Sequence, residues 1–141
     1  MSCLRGTCSG ISPPALTEIA QTHRTVVVLA DDLIWATRLT DAITGAGARP
    51  VRVRRLADLA ENLARAGTGE GFAIIDLTAR AYDAVEAIRA AVGSGARVVV
   101  VGQHDDVTLR RAALAAGAER VFTYRGLFEH GPRTIEAWLA R

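Results

Sequence analysis

Two hydrophobic periods alternate along the chain. Val26–Ala30 is a short, β-branched apolar run and reads as a buried strand. From Leu33 to Ala46, Trp35, Leu39, Ala42, Ile43 and Ala46 share one helical face, and the pattern stops at Gly45-Ala46-Gly47. Pro50–Arg54 alternates valine with arginine, as an edge strand does, and Leu56, Leu59, Ala60 and Leu63 mark a second helix closed by Gly67. Phe72–Leu77 predicts a strand, and Asp83–Val92 a helix with Val85, Ile88 and Val92 inward. Val98–Val101 is four consecutive valines, the strongest buried-strand signal in the chain. Val107–Ala116 is an alanine-rich helix ending at Gly117, Arg120–Thr123 a short last strand, and Thr134–Ala140 a last helix using Ile135, Trp138 and Leu139. Both tryptophans, Trp35 and Trp138, stand at apolar helical positions and are expected in the core.

Five strand–helix repeats with short connections imply an α/β fold, a doubly wound parallel sheet with helices on both faces. In such sheets sites form beyond the carboxyl ends of the strands. The residues to inspect are therefore Asp31-Asp32, Arg54-Arg55, Asp76-Leu77-Thr78, Gly102-Gln103-His104 and Tyr124-Arg125. The 141 residues suit one domain, read here as residues 24–141. Residues 1–23, with Gly6, Gly10, Pro13 and Pro14, read as a flexible leader holding a short helix from Ala15 to Gln21. No stretch reaches the roughly 20 apolar residues of a membrane span, and no signal-peptide pattern opens the chain, so a cytoplasmic protein is expected.

Asp31 and Asp32 end an apolar run side by side, and Asp76 emerges from a second one. If the first and third strands are neighbours, the three carboxylates converge at one edge of the sheet. They cannot all stay ionised there without compensation, by raised pKa values or by a bound cation. Hard oxygen ligands in this arrangement suit Mg²⁺, and weak Mg²⁺ binding is expected.

The arrangement resembles the receiver domain of bacterial two-component response regulators over residues 24 to 140. The matching pieces are the acidic pair in LADD, the strand-end aspartate in IIDL 44 residues after Asp32, and GAERVF at residues 117 to 122. The resemblance implies a flavodoxin-like, five-stranded parallel sheet of order 2-1-3-4-5. It implies Asp76 as acceptor of a phosphoryl group from a histidine kinase, Asp31 and Asp32 as the metal carboxylates, and Thr78 as the donor of a metal-binding backbone carbonyl. Phosphoryl transfer needs chiefly positioning and charge neutralisation, which such a set supplies.

Two parts of the receiver switch are replaced. The usual Thr or Ser of the fourth strand is Gly102, followed by Gln103, which would narrow access to Asp76. The usual Lys and cis-proline of the fifth strand are Tyr124 and Arg125, and all 17 basic residues are Arg, so no lysine is available anywhere in the chain. Without proline, a cis bond at 124–125 would cost roughly 3 kcal/mol, so a trans bond is expected. The leading expectation is a stand-alone, degenerate receiver that is not an enzyme and acts through a protein partner, a kinase or an effector. The resemblance places its surface on the fourth helix, fifth strand and fifth helix, near Tyr124, Arg125 and Phe128, and leaves a homodimer open. The alternatives are a working Asp76 phosphoacceptor with a modified switch, and a small-ligand or nucleotide-binding domain using the same strand ends.

Other features carry plainer readings. GTGEG at residues 67–71 precedes a strand, so the logic of a phosphate loop fails and a turn is expected. Asp105 or Asp106 suits a helix N-cap, and His104 alone is weak evidence for a metal or proton role. Arg49, Arg52, Arg54 and Arg55 guard an edge strand, and with no helix-turn-helix signature or aromatic platform nucleic acid is not expected. Cys3 and Cys8 read as free thiols.

Overall fold

The structure, a computed structural model, describes residues 24–66, 71–103 and 105–141. The leader with its expected helix, Cys3 and Cys8, residues 67–70 of the glycine-rich turn, and His104 lie outside the described residues. Five strands, β1 (Thr25–Leu29), β2 (Arg49–Val53), β3 (Phe72–Asp76), β4 (Arg97–Gly102) and β5 (Arg120–Thr123), alternate with five helices. These are α1 (Leu33–Gly45), α2 (Leu56–Ala66), α3 (Ala84–Gly93), α4 (Val107–Ala115) and α5 (Tyr124–Leu139). All strand pairs are parallel and their order is β2-β1-β3-β4-β5, a flavodoxin-like doubly wound sheet. Among the described residues no helix is long and apolar enough to cross a membrane.

The unbroken apolar runs of the inner strands follow from burial on both faces. Val26, Val28, Ile74, Val99 and Val101 point to one side, where Leu39 and Ile43 of α1 and Leu127, Ile135 and Trp138 of α5 complete the core. Val27, Leu29, Ile75, Val98 and Val100 point to the other, against Leu59 and Leu63 of α2, Ile88 of α3 and Ala113 of α4. Most helices begin on a side chain that accepts an otherwise orphaned backbone N–H. Asp32 caps α1, Asp83 caps α3, Asp106 caps α4 and Thr123 caps α5.

Three expectations are corrected. Trp138 is 1% exposed and packs edge-on against Phe72, but Trp35 is only half-buried. The inward stripe of α1 is Ala36, Leu39, Ala42 and Ile43, and Trp35 stands at its rim. In α3 the buried stripe is Ala84, Ala87, Ile88 and Ala91, small residues that let the helix lie close to the sheet, while Val92 turns outward. Finally, α5 starts at Tyr124, ten residues before the expected Thr134. Pro132 lacks an N–H to donate, and the chain answers with one non-helical residue, His130 (φ −136°, ψ 27°), rather than with a loop. An added Cβ on Gly131 would stand 3.0 Å from Ala42 Cβ, so the kinked helix presses closely on α1.

Gly117, after α4, has φ +117°, and a Cβ there would lie 2.9 Å from Val92 Cγ2. Gly93 has neither feature. Gly117→Ala is expected to destabilise the chain by about 2 kcal/mol. Gly93→Ala, inside α3, is expected to be neutral or stabilising by up to about 1 kcal/mol, both read by urea unfolding.

Arg97 and Glu119 form a two-pronged ion pair at 2.8 and 3.0 Å, about two-thirds shielded from water. The hydrogen bonds from Arg97 hold the Glu119 carboxyl below its ordinary value, against the opposing effect of burial. Its stabilising contribution is therefore present above the unfolded-state value, about 4.3, and lost as the pH falls through the lower folded value. Thermal melts between neutral and acidic pH should show Glu119→Gln with a shallower loss of stability on the acid side than the parent.

Candidate functional site

The register brings the candidate residues to one rim. Leu29 pairs with Ile75, Asp76 with Val101 and Gly102 with Thr123, so the residues that follow β1, β3, β4 and β5 emerge at the same level. Asp76 lies at the centre of that rim and is 1% exposed, the one charged residue in the buried core among the described residues.

A carboxylate so buried needs donors or a cation. Asp76 Oδ1 accepts the backbone N–H of Thr78 at 3.0 Å, the Thr78 hydroxyl at 2.9 Å, and the Tyr124 hydroxyl. The two hydroxyls also touch each other. They bring two protons to a triangle with three oxygen–oxygen edges, so one edge always lacks a proton of its own. Burial raises the Tyr124 phenol well above its ordinary value, and its bond to Asp76 adds to the rise. Tyr124 is therefore a standing donor at neutral pH. From β1 and β3 together, the carbonyls of Leu29 and Asp76 share the Tyr82 hydroxyl at 2.8 and 2.7 Å. Burial, then the charges of Asp76 and Asp31, raise this phenol strongly too.

The acidic pair is employed differently. Asp31 Oδ2 accepts the backbone N–H groups of Arg80 and Ala81, at 2.9 and 3.0 Å, and so holds the loop between β3 and α3. Asp32 Oδ1 accepts the N–H of Trp35 at 2.9 Å and begins α1. Each carboxylate thus has its own structural task. The ion pairs among the described residues, Arg55–Asp58, Arg65–Glu61, Arg97–Glu119 and Arg125–Glu129, include none of the three aspartates. Nor do three His, Cys, Asp or Glu side chains, among the described residues, stand where they could share a metal ion. Asp31 Oδ2, Asp32 Oδ1 and Asp76 Oδ1 are each taken by internal N–H or O–H donors, so the Mg²⁺ expected from the sequence would have to be held by their other oxygens, the Thr78 carbonyl and water.

The switch positions are equally informative. A Cβ on Gly102 would stand 3.0 Å from Leu77 Cδ1, so Leu77 fills the place a hydroxyl-bearing side chain would take. Gln103 is exposed. Among the described residues there is no cis peptide bond, so 124–125 is trans. Arg125 turns outward to Glu129 at 3.3 Å with 87% of its side chain exposed. Tyr124, not Arg125, reaches Asp76. Its ring stacks on Trp35 with centroids 4.3 Å apart, and Arg38 lies over both Trp35 and Phe128. Phe128 and Tyr124 therefore meet α1 through Arg38 and Trp35.

A carboxylate three hydrogen bonds deep at the end of the third of five parallel strands defines a doubly wound domain with a single buried acid at its switch point. Similar solved structures are receiver domains of response regulators. The receiver domain of TorR, of a TMAO respiratory system, has a TM-score of 0.72 at 18% identity, over 84% of this chain and 98% of that one. A putative response regulator from Chloroflexus aurantiacus gives 0.71 at 16%, over 84% and 98%. The signal receiver domain of the putative regulator NarL from Mycobacterium tuberculosis gives 0.68 at 17%, over 84% and 97%. This chain has the receiver-domain fold. No protein-family model and no curated protein matches it by sequence.

Asp76, Thr78 and Tyr124 were foreseeable as strand-end residues. Tyr82 was not, since nothing in its local pattern separates it from a loop residue. The cap role of Asp32 was signalled by its place one residue before a helical stripe. That role is testable. Asn caps as well as Asp, so Asp32→Asn should stay within a few tenths of a kcal/mol of the parent, while Asp32→Ala should lose about 1 kcal/mol. Equal losses in chemical unfolding would show that charge, not capping, is what Asp32 supplies.

Proposed function

We infer that the chain is a receiver-like signalling module that works through protein–protein contact, with its acceptor aspartate retained but disconnected from phosphoryl-dependent switching. The observation that carries this is the state of Asp76. Its Oδ1 is occupied by the Thr78 N–H and by two neutral hydroxyls, with Tyr124 standing where the resemblance calls for an ammonium. A transferred phosphoryl group adds negative charge that must be neutralised at this point. The basic residue next to Tyr124, Arg125, is held outside by Glu129, and the chain has no lysine. At Gly102 there is no hydroxyl to turn toward a phosphoryl oxygen. A two-state response requires a contact that differs between the states, and both usual contacts are gone. Partners of the expected kinds, a histidine kinase or an effector, would then recognise a standing surface.

A second reading has its own support. A cleft of about 470 Å³ lies beside the acidic pair, lined by Asp31, Asp32, Leu33, Arg52 and Arg54 among others. It suits a small ligand carrying both charges, and a native mass spectrum of the purified chain would show one retained.

Incubation with acetyl phosphate and Mg²⁺, followed by intact mass, is expected to leave the chain unmodified. A phosphoryl adduct abolished by Asp76→Asn would overturn the disconnected reading and establish a working acceptor with a modified switch.

A further inference from the structure

The Tyr124 side chain belongs to two sites at once. Its hydroxyl donates to the buried Asp76 carboxylate, and its ring stacks on Trp35 at the surface. That ring is also part of an open groove of about 420 Å³ lined by Ile34, Trp35, Arg38, Tyr124, Arg125 and Phe128. Nothing in the receiver resemblance calls for this connection, because the position it assigns to Tyr124 carries an aliphatic ammonium.

We propose that Tyr124 is a latch that displays the state of Asp76 in the groove between α1 and α5. The proposal goes beyond the reading above: it takes from it only Asp76 as the central carboxylate of the site, and it concerns the hydrogen bonds of Asp76 without any phosphoryl transfer. Whatever takes Asp76 Oδ1 away from its donors must displace the Tyr124 hydroxyl. The phenol is rigid, so a displaced hydroxyl carries the ring with it, and the ring cannot move without leaving Trp35. Trp35 in turn lies under the Arg38 guanidinium, 5.5 Å from its ring, and Arg38 is shared with the ring of Phe128 at 4.5 Å. Phe128 is 65% exposed and Ile34 equally so, which leaves them free to follow. The remaining donors to Asp76, the N–H and hydroxyl of Thr78, are two residues away in the same loop, and the hydroxyl meets the groove at the Tyr124 hydroxyl. Communication between carboxylate and groove therefore runs through one hydroxyl. Coupling of this sort is reciprocal: an occupant of the groove that needs the stacked ring also holds Asp76 in its donor triangle.

The test is a double-mutant cycle on the full chain, read at the two tryptophan indole N–H resonances by NMR. Trp35→Phe assigns them, and buried Trp138 serves as the internal reference. Asp76→Ala, which removes the acceptor oxygen, is expected to shift the Trp35 resonance and leave Trp138 in place. In a Tyr124→Phe background, which keeps the ring and removes only the hydroxyl, the same substitution should shift Trp35 by less than about a third as much. An equal shift in both backgrounds, or none in the parent, overturns the latch. Should Asp76→Ala fail to give a dispersed Trp138 resonance, Tyr124→Phe alone decides: it must move Trp35, and an unmoved resonance overturns the proposal. The two failures stay distinguishable. A phosphoryl adduct on Asp76 overturns the disconnected reading by mass alone, whereas a latch without transmission leaves the mass unchanged and shows only in the indole spectrum.

Discussion

The structure turns on a carboxylate that has been taken out of water and, among the described residues, enters none of the ion pairs. Asp76 is 1% exposed, and an ionised acid in that position would be costly if left unsatisfied. The chain solves this with dipoles: one backbone N–H and two hydroxyls on a single oxygen. Much of the local architecture follows from it. Thr78 has to turn back toward the strand it has just left. Tyr124 has to be the first residue of α5, and Tyr82 has to bridge the carbonyls of Leu29 and Asp76 so that the ends of β1 and β3 stay level.

The same logic governs the acidic pair. Adjacent aspartates repel, yet their side chains diverge, one to the N–H groups of Arg80 and Ala81 and one to the start of α1. Each faces the positive end of backbone dipoles, which lowers the cost of holding like charges close. Solved receiver domains share the fold at 16 to 18% identity, so the sheet order tolerates wide changes in the residues at its rim.

The architecture was legible because burial on both faces writes itself as continuous runs such as Val98–Val101, and because glycine follows the helical pattern in the first four repeats. The candidate site was legible only as a set of positions. Strand order was enough to bring Asp31, Asp32 and Asp76 to one rim, but not to say which way each side chain turns, because that depends on which N–H groups the loops leave free. Convergence was therefore foreseen, but not which oxygen of each carboxylate the backbone N–H groups would claim. Trp35 was misplaced for a related reason. A helical stripe about 100° wide includes its edges, and a large ring at the edge can pack sideways on a neighbour such as Tyr124 instead of inward. The last helix was cut short in the sequence reading because Gly131 and Pro132 look like a break. In the fold they are where α5 kinks and closes onto α1.

That kink links packing to the site. Helix α5 is anchored at its first turn by Thr123, whose hydroxyl accepts the N–H of Gly126, and at its far end by Trp138 and Ile135 in the core. A straight sixteen-residue helix fixed at both ends would have one geometry to offer. A change of direction at His130 lets the second half settle against α1, where Gly131 meets Ala42 and Gly45 meets Pro132. The first half then follows the line set by the end of β5. The direction in which Tyr124 leaves the backbone is thus set by the cap, the strand and the core packing of its own turn, where Leu127 is buried and Tyr124 rests on the same cluster. A side chain on so short and separately held a segment can deliver its hydroxyl to a buried oxygen while its ring stays at the surface. A long unkinked helix, whose first turn is dictated by its last, has no such freedom.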